Sequence, residues 1–117
     1  MTSYKELLVW QKSVELVKSI YRITKKYPGE EKFGLVDQMR RASVSIPSNI
    51  AEGKSRKTDK EFIQFLYTSR GSSAELETQI YLSKKLGFID ESTYQKTNEQ
   101  CEEVGRMLSG LIKSLDK

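Results

Sequence analysis

"RRASVSIPSNIAEG", Arg40 to Gly53, is the stretch whose reading decides the fold. Together with the residues just before it, it places Leu35, Met39, Ala42, Ile46 and Ile50 three or four positions apart. That is the period of a helix burying one face. The same stretch carries Pro47, three serines and Asn49, which helix interiors disfavour. On a helical wheel the conflict resolves into faces. Gln38, Arg41, Ser45, Asn49 and Glu52 form a polar strip beside the apolar seam, and Pro47 falls near the opposite edge with Ser43. A proline inside a helix removes one hydrogen bond and presses on the carbonyl four residues back, at about 3 kcal/mol. Ser43 and Ser48 can re-bond the freed groups, so a helix kinked near Ser43–Pro47 is expected. Gly53 is expected to close it as a left-handed stop.

The flanking sequence supplies three more helices. Ser3 with Glu6 makes a capping-box pattern opening the first, whose seam reads Leu7, Trp10, Val14, Val17 and Tyr21 and which ends at Pro28 and Gly29. Thr58 with Glu61 opens the third. Its seam is Phe62, Leu66, Ser69, Ser73, Leu76 and Ile80, and Gly87 stops it. Asp90 caps the fourth, with Ile89 and Tyr94 placed as a hydrophobic staple. That seam runs Tyr94, Thr97, Cys101, Val104, Leu108, Leu111 and Leu115. Four amphipathic segments joined by short turns predict one all-α domain over 1–117, an up-down-up-down antiparallel four-helix bundle. In that topology Ala42 faces Ser69 and Ser73, so the second and third helices approach closely. Arg41, Asn49 and Glu52 are then placed to bond across to the third helix or to a neighbouring subunit. The strip Ser45, Pro47, Asn49, Glu52, Gly53 reads first as a structural edge and second as a ligand or partner site.

Two helices carry more apolar surface than one seam uses. The first adds Val9, Leu16, Ile20, Ile23 and Tyr27, and the third adds Ile63, Tyr67, Ala74 and Tyr81. Such spare faces suggest self-association.

Composition narrows the chemistry. The 117 residues include 31% charged and 37% hydrophobic positions, which suits a helical domain with ionic exposed faces. No run reaches the ~20 apolar residues of a membrane span. "MTSYKELLVW" lacks the layout of a signal peptide, so a cytoplasmic location is expected, with no membrane partner. Zero histidines remove Ser-His-Asp and Cys-His schemes and the Glu-x-x-His di-iron bundle. One cysteine, Cys101, excludes an internal disulfide framework and reads as a small core residue. Glu75, Glu77, Glu99, Glu102 and Glu103 read as exposed helical charge. "GKS" at Gly53–Ser55 lacks the earlier glycine and preceding strand of a phosphate loop. No catalytic residue, metal site or cofactor is expected.

The net charge is +4, unevenly spread. Residues 1–57 hold 12 Lys/Arg against 6 Asp/Glu, and residues 58–117 hold 8 against 10. Basic groups fall at Lys18, Arg22, Lys25 and Lys26, at Arg40 and Arg41, and at Lys54, Arg56 and Lys57. The first and last groups belong at opposite poles of a bundle. Such clusters hold phosphates without reading bases.

"QMRRASVSIPSNIAEGKSR" (Gln38–Arg56), "EFIQFLYTSRGSSAELETQI" (Glu61–Ile80) and "KKLGFID" (Lys84–Asp90) strongly resemble one known family. It is the four-helix-bundle family encoded in intervening sequences of bacterial 23S ribosomal RNA genes, also labelled S23 ribosomal protein-like. The resemblance covers nearly the whole chain and implies a homopentamer around a central channel. The chain also resembles the basic pentameric accessory variability protein of diversity-generating retroelements, which binds nucleic acid and its reverse transcriptase. The function expected is a non-enzymatic oligomer binding RNA or DNA sequence-tolerantly, as accessory to a nucleic-acid-processing partner. The alternative is a protein-interaction scaffold with no nucleic-acid role.

Overall fold

The computed structural model describes residues 3–117. Met1 and Thr2, part of the N-terminal stretch considered for targeting, lie outside the described residues. The described residues form four α-helices: α1 (Leu8–Thr24), α2 (Leu35–Lys54), α3 (Asp59–Lys85) and α4 (Glu91–Leu115). The body measures 44 × 23 × 20 Å, so its long axis is that of the helices. No described helix is long and apolar enough to cross a membrane.

Each helix packs on its neighbours in sequence, and α4 closes the ring against α1. Paired contacts fix the directions. Ser69 meets Ile46 while Ser83 meets Met39, so α3 runs antiparallel to α2. Arg70 meets Ser109 while Lys84 meets Glu91, so α4 runs antiparallel to α3. Tyr27 stacks on Phe88 with centroids 5.2 Å apart, which brings the α1–α2 and α3–α4 connections together at one pole.

The second and third seams are buried nearly as expected. Met39, Ala42, Ile46 and Ile50 point inward, as do Phe62, Leu66, Ser69, Ser73, Leu76 and Ile80. Burying each large aliphatic side chain here contributes roughly 1.5–3 kcal/mol. In α4, Thr97, Cys101, Val104 and Leu108 follow the expected seam, which then shifts to Ile112. Thr58 and Asp90 cap as expected, accepting from the Glu61 amide at 3.1 Å and the Thr93 amide at 2.8 Å. Gly87 adopts φ +79°, and the Phe88 amide reaches back to the Ser83 carbonyl at 2.9 Å. That 6→1 bond terminates α3.

α1 differs from its sequence reading in two ways. Ser3 caps a short 3₁₀ turn at Tyr4–Glu6, accepting from the Lys5 amide, and α1 proper starts after Leu7 without a side-chain cap. Its inward face is Val9, Ser13, Leu16, Ile20 and Thr24, continued by Tyr27. Val14, Val17 and Tyr21, expected inside, lie on the flank, while Leu7 and Trp10 are partly buried against the core as expected. Ser13 and Thr24 explain the reversal. Their hydroxyls donate to the Trp10 carbonyl at 2.8 Å and the Ile20 carbonyl at 2.6 Å. Each is thereby satisfied within its own helix and buries at little cost.

α2 runs unbroken through Pro47, and the Ser43 hydroxyl bonds the Arg40 carbonyl at 2.9 Å. Gly53 is not a stop. It lies inside α2 with ordinary helical φ, and a Cβ there would sit 2.6 Å from Phe65 Cβ and 2.9 Å from Phe62 Cδ1. The glycine is needed for the close approach of α3.

Candidate nucleic-acid interface

The polar strip on α2 is mostly self-contained. Arg41 pairs with Asp37 at 3.1 Å and Glu52 with Arg56 at 3.0 Å. Asn49 donates to the Ser45 carbonyl and hydroxyl at 2.9 and 3.0 Å. The expected bonds from Arg41, Asn49 and Glu52 across to α3 are absent among the described residues. The crossing is made instead by Ser72, whose hydroxyl donates to Ser45 at 3.0 Å, and by Ser69, which donates to the Ile46 carbonyl at 2.9 Å. Ser73 faces α4, where the Cys101 thiol donates to its carbonyl at 3.3 Å. The motif thus builds the α2–α3 seam.

The nine basic residues singled out from the sequence separate by what they touch. Arg40 works as a strut: its Nε donates to Thr24 Oγ1 at 3.0 Å, and its guanidinium lies 4.5 Å from the Tyr21 ring. Lys18 pairs with Glu15 at 3.7 Å. Arg56 is held by Glu52 and stacks on Phe65 at 4.6 Å, and Lys54 lies over Phe62. Arg22, Lys25, Lys26 and Lys57 make no ion pair with the described residues.

Arg22 and Lys26 border a cleft of about 850 Å³ between α1 and α4. α4 contributes Lys96 and Arg106 to the same cleft, and neither is in an ion pair among the described residues. Sequence reasoning missed these two. They stand ten positions apart in the half of the chain with an acidic balance, so no local charge run marks them. Antiparallel packing of α4 on α1 brings Lys96 opposite Arg22 and Lys26, while Arg106 lies farther along the cleft, beyond the Lys12–Glu103 pair. Three carboxylates border the same cleft, and Glu99 is the one without a partner among the described residues. Asp90 caps α4, and the Thr93 bonds hold its carboxyl below the usual range. Glu103 pairs with Lys12 at 3.7 Å.

Cys101 is not poised as a nucleophile. Burial, reinforced by Glu77 and Glu102, pushes the Cys101 thiol up to about 12, which leaves it protonated and inert. Among the described residues no three His, Cys, Asp or Glu side chains gather as metal ligands. Glu75, Glu77, Glu99 and Glu102 are exposed on helix surfaces.

No curated protein matches this chain. A crystal structure of a protein of unknown function from the S23 ribosomal protein family, from Bacteroides thetaiotaomicron, superposes with a TM-score of 0.84 at 27% identity. The match covers 91% of this chain and 99% of that one. The family described as 23S rRNA-intervening sequence protein matches residues 5–110. The two matches agree on one fold along nearly the whole sequence, and the chain belongs to the 23S rRNA-intervening sequence protein family.

Proposed function

We propose that this protein is a non-enzymatic, self-associating helical bundle that holds RNA or DNA by its phosphates, as accessory to a nucleic-acid-processing partner. The observation that carries this reading is the set of unpaired cations at one end of the bundle. Arg22 and Lys26 at the end of α1 stand across the cleft from Lys96 on α4, with Lys25 beside them in the chain. Cations without internal partners are free to displace counterions from a polyanion, which is the source of sequence-tolerant affinity.

Self-association is supported by an apolar flank. Val14, Val17 and Tyr21 share one side of α1, and the stacking of Arg40 on Tyr21 turns that side toward α2. Val44 stands one turn beyond Arg40 and is 39% exposed, with Tyr21 at 38%. A strip of this kind suits burial against another copy. A homopentamer, the assembly implied by the family resemblance, would repeat the cationic end five times and raise the local potential well above that of one chain.

Light scattering and mobility shifts in rising salt test the two halves together. The expected result is an oligomer whose nucleic-acid affinity falls steeply between about 50 and 200 mM salt. Val14→Asp with Val44→Asp should break the assembly and weaken binding with it. A monomer at high concentration, or no shift at about 50 mM salt, overturns the corresponding half. An oligomer without nucleic-acid affinity would point to the scaffold reading, which the same apolar flank favours.

A further inference from the structure

The α1–α4 cleft has an apolar floor under its cations. Ile23, Phe88 and Ile89 line it and are half-buried, packed against the core. Arg22 and Lys26 rise on one wall and Lys96 on the other. These three cations have no ion-pair, hydrogen-bond or cation–π partner among the described residues, in contrast with Arg40, Arg41, Arg56 and Arg70. Phe88 keeps one face on Tyr27, which holds the floor in place. At about 850 Å³, the space falls within the usual range of small-ligand pockets.

An apolar floor flanked by cations without ion pairs fits a ligand with a flat apolar body and anionic oxygens. Of the carboxylates on the same cleft, Asp90 is bound to Thr93, Glu103 is paired with Lys12, and Glu99 is exposed on the rim. Resting on the nucleic-acid reading above, we propose that the cleft takes one unpaired nucleotide of a single strand. Its base lies on Ile23, Phe88 and Ile89, and its flanking phosphates lie against Arg22, Lys26 and Lys96. A duplex keeps its bases inside the stack and offers such a floor nothing to bind. Single strands expose the faces of their bases, and these rest on apolar or aromatic platforms regardless of sequence. The proposal therefore separates two affinities. Exposed cations anywhere on the surface bind both kinds of strand, and the cleft adds a preference for unpaired ones.

The test compares a fluorescein-tagged, 5-iodouracil-containing single strand with an equally tagged blunt duplex of the same length by fluorescence anisotropy, using the intact protein. The single strand should bind roughly tenfold tighter. Arg22→Glu with Lys96→Glu should bring it down to the duplex level, whereas Lys113→Glu, an exposed charge change on the last turn of α4, should keep the preference. Irradiation of the wild-type complex should crosslink the label to Phe88 or its neighbours, a readout that needs no variant to fold. Equal binding of both strands, or crosslinks confined to other surfaces, overturns the cleft proposal and leaves phosphate binding standing. Absence of binding to either strand overturns both.

Discussion

Between α2 and α3 the backbones meet over Ser45, Gly53, Ser69 and Ser72. α1 and α4 face each other across Ser19, Ile23, Thr93, Lys96 and Glu103. The first set is small, and its hydroxyls reach the opposing helix directly, so α2–α3 is the most closely packed pair in the bundle. The second set includes long charged side chains that extend toward water. α1 and α4 touch less closely than the other neighbouring helices, and a cleft opens there. One face of the molecule is therefore committed to stability, while the opposite face retains space and unspent charge. Small residues bring helices together, and long ionic ones along a seam leave room for a ligand.

The contrast can be broken most severely at Gly53. Gly53→Ala places a methyl 2.6 Å from Phe65 Cβ and 3.3 Å from the Phe62 carbonyl. We expect a loss of about 3 kcal/mol by urea denaturation, since neither α3 nor its aromatic side chains can move aside freely. Gly71→Ala in the exposed middle of α3 meets nothing within 4 Å and should instead stabilise by up to about 1 kcal/mol. Equal effects at the two glycines would refute the close approach of α2 and α3.

A second experiment turns to the α3–α4 contact, where Cys101 is buried at the base of a shallow groove of about 570 Å³. Burial raises the Cys101 thiol from 9.0 to about 12. With rising pH the unfolded chain ionises first. The stability conferred by the buried neutral thiol is thus fully present below about pH 9 and is lost progressively up to about pH 12, at roughly 1.4 kcal/mol per pH unit. Tyr27, also raised by burial and opposed by Ser83, adds to the loss above pH 10. Denaturation midpoints measured from pH 8 to 11 should fall, and Cys101→Ala should flatten the segment between pH 9 and 10. A flat wild-type profile would mean the α3–α4 seam admits water.

The smallest expected difference compares Ser69→Ala with Lys96→Ala. Removing the Ser69 hydroxyl deletes a buried bond to the Ile46 carbonyl, at about 1 kcal/mol. Lys96 stands at the open cleft without an ion pair among the described residues, and its truncation should shift stability by less than about 0.5 kcal/mol. Thermal melts resolve the two, and a larger effect at Lys96 would show that the cleft contributes to the fold.

Legibility in the sequence followed the range of the forces involved. The seams of α2 and α3 were readable because their apolar residues occupy one face with little competition. α1 carries two apolar rows, and the row with more large side chains was the wrong one. The true row holds Ser13 and Thr24, whose polarity counts against burial until their bonds to Trp10 and Ile20 are known. Arg22, Lys25 and Lys26 could be found as a cluster along the chain. Lys96 and Arg106 could not, because their neighbours in space are distant in sequence. Arg40 looked like a free cation and proved to be a strut between α2 and α1.

By itself the sequence determined the number of helices, the caps at Thr58 and Asp90 and the turn at Gly87, all features settled by residues a few positions apart. Tertiary structure decided which row of α1 turns inward, why residue 53 lacks a side chain, and which cations stay unpaired. Those outcomes depend on atoms that meet only when helices pack, and no periodicity within one helix encodes the surface it will face.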